Sequence, residues 1–157
     1  MNTLIVYDSQ YGNTELIANE IGETLNALGR ARAVRVDAVR ASDLADVELL
    51  FVGSPTQGWR PTPAMQSYLA APAANQLRSV HVACFDTRFQ KPRWLTGSAA
   101  VVMTKRLQAQ GIATIAEPVS FFVKGTEGPL LPGEVERAKG WAMSIARRLT
   151  PAPTTSR

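Results

Sequence analysis

The feature that most restricts the fold of this chain is a fivefold alternation of short apolar runs with longer amphipathic stretches. Thr3–Tyr7 is an almost unbroken apolar run, which is typical of a strand buried on both faces. Further strands are expected at Ala33–Val36, Glu48–Gly53 and Ser79–Phe85, and a fifth within Ile112–Val123. The strands are too far apart along the chain for hairpins, so they favour a parallel sheet.

Helical periodicity fills the segments between these runs. Glu15–Leu28 carries apolar residues on one helical face, and Gly97–Gln110 and Gly133–Leu149 are also expected to be helical. Thr62 followed by Pro63 is typical of a helix start. Because strand–helix–strand connections are right-handed, this order predicts an α/β fold with helices on both faces of a parallel sheet.

The composition excludes several classes of function. The 157 residues suffice for one domain, and the single cysteine and single histidine exclude disulfide frameworks, CxxC sites and multi-histidine metal sites. The sequence contains no run of about 18 apolar residues, so no membrane-spanning helix is expected. The start of the chain lacks a secretion-signal pattern, so a cytoplasmic location is expected. The arginines are scattered and no nucleic-acid-binding module is visible, so no nucleic-acid partner is expected.

The loop between the first strand and the first helix is the first candidate site. Hydroxyl groups and a glycine at a helix N-terminus can form an anion site, because free backbone N–H groups and the helix dipole point at the ligand. The loop matches neither the Walker A nor the GxGxxG pattern and contains no lysine or arginine, so neutral donors would hold the anion. The alternative is a plain turn with helix-capping side chains. The residues of this loop are Ser9, Gln10, Tyr11, Gly12, Asn13 and Thr14.

Two further loops follow the third and fourth strands, at the sheet edge where ligands of parallel sheets bind. Both combine aromatic side chains with polar donors, which suits a flat aromatic ligand carrying a phosphate. Trp59 and Phe89 are favoured as neighbours of the flat group, although Trp59 or Trp94 could instead pack on protein. The candidate residues are Ser54, Pro55, Thr56, Gln57, Gly58 and Trp59 in one loop, and Asp86, Thr87, Arg88 and Phe89 in the other.

Two motifs carry a resemblance to a known family. Ser9-x-Tyr-Gly-Asn-Thr14 follows the first strand and Gly53-Ser-Pro-Thr56 follows the third, and together they resemble the flavodoxin family. The resemblance implies a flavodoxin-like three-layer sandwich over residues 1–149, with strand order 2-1-3-4-5, followed by a disordered tail at 150–157. It also implies that FMN is bound with its phosphate in the first loop and its isoalloxazine ring between the other two.

The resemblance implies an electron-transfer protein that works between a reductase and an acceptor protein as a monomer or weak dimer. Two alternatives stay open: an FMN-dependent NAD(P)H or quinone oxidoreductase, and a flavin-free interaction domain on the same fold. No catalytic or metal-binding residue is expected, because the flavin would supply the chemistry. Flavodoxins are usually acidic, whereas this chain has a net charge of +4, and Arg60, Arg88, Lys91 and Arg93 fall on the flavin-side loops. An acidic partner is therefore expected.

Overall fold

All five strands lie parallel in one sheet with the order β2-β1-β3-β4-β5. This arrangement is taken from a computed structural model, which describes residues 1–70 and 74–150. The fold class and the strand order predicted from the sequence are confirmed. The strands are β1 (Asn2–Tyr7), β2 (Arg30–Arg35), β3 (Leu49–Pro55), β4 (His81–Phe89) and β5 (Val119–Val123).

Helices connect consecutive strands and follow the last one. Three short 3₁₀ segments, Asn26–Leu28, Val36–Ala38 and Ala41–Leu44, flank β2. No helix in residues 1–70 and 74–150 has the length and apolar character needed to cross a membrane. The helices are α1 (Asn13–Leu25), α2 (Pro63–Ala70), α3 (Ala74–Leu77), α4 (Arg93–Thr96), α5 (Ala99–Ala109) and α6 (Glu134–Leu149).

The central strands send alternate side chains into two separate cores. In β1, Leu4 and Val6 pack with residues of α2 and α5, whereas Ile5 and Tyr7 pack with residues of α1 and α6. Leu4, Ile5 and Val6 are fully buried, and burial of such a side chain stabilises a fold by about 1.5–3 kcal/mol. The apolar run at the start of the chain therefore lies in the middle of three layers, as its lack of polar residues predicts.

The fourth strand is longer than the sequence predicts. The expected strand ends at Phe85 and is followed by a loop, but β4 continues to Phe89. The added residues pair with the edge strand, with Asp86 opposite Ser120 and Phe89 opposite Val123. Residues 86–89 are thus fixed in a strand, and the prediction that they form a loop is wrong.

The C-terminal part of the chain ends on α6, whose bounds match the expected helix closely. The sequence predicts a helix over Gly133–Leu149, and α6 spans Glu134–Leu149 with Gly133 in a left-handed conformation just before it. The predicted disordered tail lies outside the described residues except for Thr150.

Candidate functional site

A cavity of about 390 Å³ opens at the carboxyl edge of the sheet, where the first two candidate loops meet the end of β4. Gly12, Ser54 and Asp86 are the candidate residues that do not line it. Residues from the segment after β4 and from the end of β5 complete the wall. The lining residues are Ser9, Gln10, Tyr11, Asn13, Thr14, Pro55, Thr56, Gln57, Gly58, Trp59, Thr87, Arg88, Phe89, Lys91, Leu95, Thr96, Val123 and Thr126.

The first loop lines the cavity, and the Ser9 side chain holds its turn. The buried Ser9 hydroxyl accepts hydrogen bonds from the backbone amides of Gly12 (3.1 Å) and Glu15 (3.3 Å), and Gly12 has a left-handed conformation with φ of 90°. Within the described part of the chain, no acceptor is bonded to the amides of Gln10, Tyr11, Asn13 and Thr14. Free amides at the start of a long helix favour an anion.

Two buried hydroxyl groups meet beneath this loop. The Oγ1 atoms of Thr14 and Thr87 lie 2.8 Å apart, and the two residues are 1% and 5% exposed. A hydroxyl carries one proton and can accept as well as donate. One proton serves the bond between them, so the pair can offer the other to a ligand in the cavity.

Arg35 supports the same loop from the end of β2, and sequence reasoning missed it. Its Nη2 donates to the Ser9 carbonyl oxygen (2.5 Å) and lies 3.3 Å from Asp8 Oδ1. Glu15 and Asp37 carboxylates also lie within 3.9 Å of the guanidinium. With three carboxylates around one cation, the local charge is not positive, so neutral donors still dominate the loop. The available signal was the parallel pairing of β1 with β2, which brings the end of β2 beside the loop.

The second loop contains a tight turn that carries a tryptophan. The backbones of Gln57 and Arg60 exchange two hydrogen bonds of 2.8 and 3.1 Å, with Gly58 and Trp59 between them. Both central residues have positive φ, 54° and 67°, as a type I′ turn requires. This conformation is rare for a bulky residue. Trp59 packs on Gly97, where an added Cβ would lie 2.2 Å from the Trp59 Cδ1 atom.

Apolar side chains form the outer wall of the cavity. Trp59, Phe89 and Leu95 line it while being 55%, 38% and 46% exposed. Trp94 is 80% exposed and does not line it. Sequence reasoning missed Leu95, because the short helix α4 that carries it has no periodic pattern of its own.

Ser54 lies behind the wall and not in it. Its fully buried hydroxyl donates to the Pro55 carbonyl oxygen (2.9 Å) and accepts from the Thr62 amide (3.1 Å). The Thr62 hydroxyl in turn donates to Asp8 Oδ2 (2.5 Å) and accepts from the Met65 amide at the start of α2. Ser54 therefore holds the second loop against α2.

Asp86 also lies behind the wall, at the start of α5. Its Oδ2 accepts hydrogen bonds from the Ser98 hydroxyl (2.5 Å) and the Ala100 amide (3.0 Å). Its Oδ1 is buried and has no partner among the described residues. Burial raises the pKa of this carboxyl group, and the bonds from Ser98 and Ala100 offset only part of the rise. These contacts make Asp86 a structural link between β4 and α5.

Arg88 anchors the segment that follows β4. Its Nε donates to the Ser120 hydroxyl (2.8 Å), and its Nη1 donates to the Lys91 carbonyl oxygen (2.6 Å) and the Thr96 hydroxyl (3.1 Å). The guanidinium also lies 5.1 Å from the centroid of the Phe122 ring. The side chain is therefore bonded within the protein, and it shapes the part of the wall to which Lys91 and Thr96 belong.

The described residues hold no cluster of three His, Cys, Asp or Glu side chains that could bind a metal ion. The one cysteine, Cys84, is fully buried, and burial raises the pKa of its thiol to about 12. The thiol is thus protonated and shielded at neutral pH.

Comparison with known proteins gives one family. The profile of the flavodoxin family matches residues 5–141. No curated protein sequence matches the chain.

Solved structures share the fold at low sequence identity. A flavodoxin from the domain Archaea is 18% identical with a TM-score of 0.78, and 95% of this chain covers 99% of that one. Oxidised flavodoxin 1 from Bacillus cereus is 19% identical with a TM-score of 0.77, at 96% and 100% coverage. Rubredoxin:oxygen oxidoreductase from Desulfovibrio gigas is 22% identical with a TM-score of 0.75, and 94% of this chain covers 36% of that enzyme. The matched region is therefore one part of the larger enzyme.

Proposed function

The chain belongs to the flavodoxin family, whose members bind FMN and transfer electrons, and we propose that it carries electrons between a separate reductase and an acceptor protein. When bound, FMN supplies the redox chemistry at its isoalloxazine ring. The protein binds the cofactor, orients it and controls which molecules reach it.

The first loop fits the phosphate group of FMN. Its free backbone amides lie at the N-terminus of the 13-residue helix α1, where the dipole stabilises negative charge. The hydroxyl pair of Thr14 and Thr87 adds a further donor at the same end of the cavity. Arg35 is held by carboxylates, so the phosphate would be bound by neutral donors.

The outer wall fits the flat isoalloxazine ring. Trp59 and Phe89 present aromatic surface at the cavity, and Leu95 adds an aliphatic contact. Aromatic rings stack on flat ligands in offset or edge-on geometries. Because all three side chains are partly exposed, one edge of a ring between them would remain accessible to another protein.

The observation that carries the proposal is the meeting of these two features in one cavity: free amides and buried hydroxyls in and beneath the first loop, and exposed aromatic side chains in the outer wall. A phosphorylated flat ligand needs both. Each feature alone would also fit a turn or a surface patch.

The test is the visible absorption spectrum of the purified protein, followed by titration of the flavin-free protein with FMN and with riboflavin. A flavin spectrum and tighter binding of FMN than of riboflavin are expected. Anaerobic addition of NADPH should leave the flavin oxidised until a reductase is added. Rapid bleaching by NADPH alone would instead identify an oxidoreductase, and failure to bind FMN would leave an interaction domain.

A further inference from the structure

Charge is distributed unevenly along this chain. Between Glu48 and Glu117 the sequence contains seven lysine or arginine residues and one acidic residue, Asp86. That carboxyl group is fully buried beneath α5. This segment contains α2, α4, α5, the second loop and the end of β4, so the surface that this segment contributes is strongly basic.

Three of these cations line the cavity or stand within two positions of a residue that lines it. Arg60 follows the Gly58–Trp59 turn, Lys91 lines the cavity, and Arg93 begins α4. All three are exposed, and in the described part of the chain none lies within 4.0 Å of a carboxylate. Elsewhere, surface cations such as Lys139 do have carboxylate partners. The cations at the mouth are thus free to pair with an incoming molecule.

Exposed apolar side chains lie next to these cations in the chain. Trp94 is 80% exposed and its neighbour Leu95 is 46% exposed, while Trp59 is 55% exposed. Exposed apolar surface bordered by charge marks interaction sites. Tryptophan and arginine are also the residues that most often dominate binding energy at protein interfaces.

We propose that the surface formed by Arg60, Lys91, Arg93, Trp59, Trp94 and Leu95, here called the Trp94 surface, docks an acidic electron-transfer protein with an apolar centre to its docking face. The inference rests on the proposed function, because it names the partner of the same site. A partner bound there would lie at the mouth through which an electron must pass. Unpaired cations around the mouth would also steer an acidic partner toward it.

Binding to two immobilised probes tests the proposal: a plant-type two-iron ferredoxin, which is acidic, and cytochrome c, which is basic. Affinity is measured with the FMN-loaded and the flavin-free protein, from about 0.01 M to about 0.15 M ionic strength, over which the screening length falls from about 30 Å to about 8 Å. Tighter binding to ferredoxin is expected, with a marked loss of affinity at the higher ionic strength. Equal binding to both probes, or no effect of salt, would overturn the proposal.

Three variants locate the surface. Arg60→Glu/Arg93→Glu, here called the rim variant, should weaken ferredoxin binding by about tenfold or more, since two favourable charge interactions become repulsive. Trp94→Ser should weaken it without changing the salt dependence. Arg30→Glu/Arg147→Glu changes the net charge equally but lies where β2 begins and α6 ends, far from the cavity. It is the matched control and should have little effect.

Other results of these binding measurements distinguish an error in the docking surface from an error in the proposed function. An equal loss in the control and the rim variant would mean that net charge alone drives binding, which overturns the Trp94 surface. Tighter binding to a DNA duplex or to anionic vesicles than to ferredoxin, lost in the rim variant, would assign the surface to that partner and overturn the proposal. If the protein has no flavin spectrum but still binds ferredoxin, and the rim variant loses this binding, the proposed function is refuted while the Trp94 surface stands.

Discussion

The hydroxyl oxygens of Thr14 and Thr87 lie 2.8 Å apart and connect the first turn of α1 to the carboxyl end of β4. The two residues are 73 positions apart in the chain, and both line the cavity. The bond therefore joins the loop that fits a phosphate to the wall that fits a flat ring. Because the pair has one proton to offer a ligand, the two hydroxyls should act as a unit.

Removing both hydroxyls should weaken FMN binding by more than the sum of the two single losses. A hydrogen bond to a charged group contributes about 1.5–3 kcal/mol, so the double variant Thr14→Val/Thr87→Val should weaken FMN by about ten- to a hundredfold. Each single variant should lose less, since the remaining hydroxyl no longer uses its proton in the bond between the pair and can offer it to the ligand. Titration of the flavin-free proteins measures all four affinities.

Riboflavin is the control for this double-mutant cycle, because it lacks the phosphate group. Its affinity should be nearly the same for the four proteins. Strictly additive losses for FMN would show that the hydroxyls act independently. An equal loss for riboflavin would show that they do not act on the phosphate.

Gly97 should control the position of Trp59. A Cβ at Gly97 would lie 2.2 Å from the Trp59 Cδ1 atom and 2.5 Å from its Cα, so Gly97→Ala should displace the tryptophan. Weaker binding of FMN and riboflavin alike is expected, because in the proposed site Trp59 would contact the ring and not the phosphate. The shift should also be visible in the tryptophan fluorescence of the flavin-free protein.

Gly111→Ala provides the matched control for Gly97→Ala. Gly111 also has positive φ, 80° against 68°, but nothing lies within 4 Å of its added Cβ. Gly111→Ala should lose about 1–2 kcal/mol of unfolding free energy from backbone strain. Gly97→Ala should lose more, because its φ of 68° and ψ of −176° are adopted almost only by glycine. Only Gly97→Ala should change flavin affinity. If both variants weaken flavin binding equally, the Trp59 contact has no role.

Much of the fold was predictable because burial and periodicity are local properties of the sequence. The run Thr3–Tyr7 is apolar because both faces of its strand are buried, and it forms most of the interior strand β1. The end of β4 was not predictable in this way. Asp86, Thr87 and Arg88 are typical of a loop, but their side chains form hydrogen bonds with partners at the start of α5, on α1 and on β5. Those partners come from other parts of the chain, and only the folded structure shows them.

The candidate site follows the same division. The loops after β1 and β3 were predictable because parallel sheets bind ligands at the carboxyl ends of their strands. Leu95 and Thr126 also line the cavity, because contacts with distant parts of the chain place their segments there. Arg88 holds the segment before Leu95 in place, and Gly128, in the loop of Thr126, packs against the Asn13 side chain. Nothing within either segment indicates that it reaches the cavity.

Replacing the buried carboxyl group of Asp86 should stabilise the protein at neutral pH. Burial raises its pKa in the folded state above the ordinary value of about 3.9. Folding then favours the protonated form, so the stability of the parent falls as pH rises from about 3.9 through the raised pKa. Asp86→Asn lacks this penalty and keeps an acceptor for the Ser98 and Ala100 bonds.

Urea unfolding across a pH series measures this effect. The free energy of unfolding of Asp86→Asn should increase relative to that of the parent as pH rises. The difference between the two should be smallest below about pH 3.9, where the carboxyl group of the parent is protonated in both the folded and the unfolded state. A parent that is more stable than Asp86→Asn at neutral pH, with no dependence on pH, would contradict the argument.

Glu134 should have the opposite pH dependence, because its partners outweigh its burial. Burial raises the pKa of this carboxyl group, but hydrogen bonds from Arg137 (2.6 and 2.9 Å) and from the Phe122 amide (2.8 Å) bring it below the ordinary value. A lowered pKa stabilises the fold fully above about 4.3, and the contribution is lost as pH falls through the folded-state pKa. Arg137 also donates to the Ser120 carbonyl oxygen. Glu134 and Arg137 of α6 therefore both form hydrogen bonds with the backbone of the edge strand β5.

Glu134→Gln should therefore lower the free energy of unfolding by about 1–3 kcal/mol at neutral pH, the effect of leaving charged and buried partners unmatched. The deficit should shrink below about pH 4.3, as the parent loses the same contribution. Glu136→Gln on the same helix removes a carboxylate that is 78% exposed and 3.4 Å from Lys139, so it should cost about 1 kcal/mol or less. Chemical unfolding of the parent, Glu134→Gln and Glu136→Gln at several pH values measures these differences in the free energy of unfolding. A deficit for Glu134→Gln that matches the control, or one that grows in acid, would show that the Glu134–Arg137 pair does not stabilise the edge of the sheet.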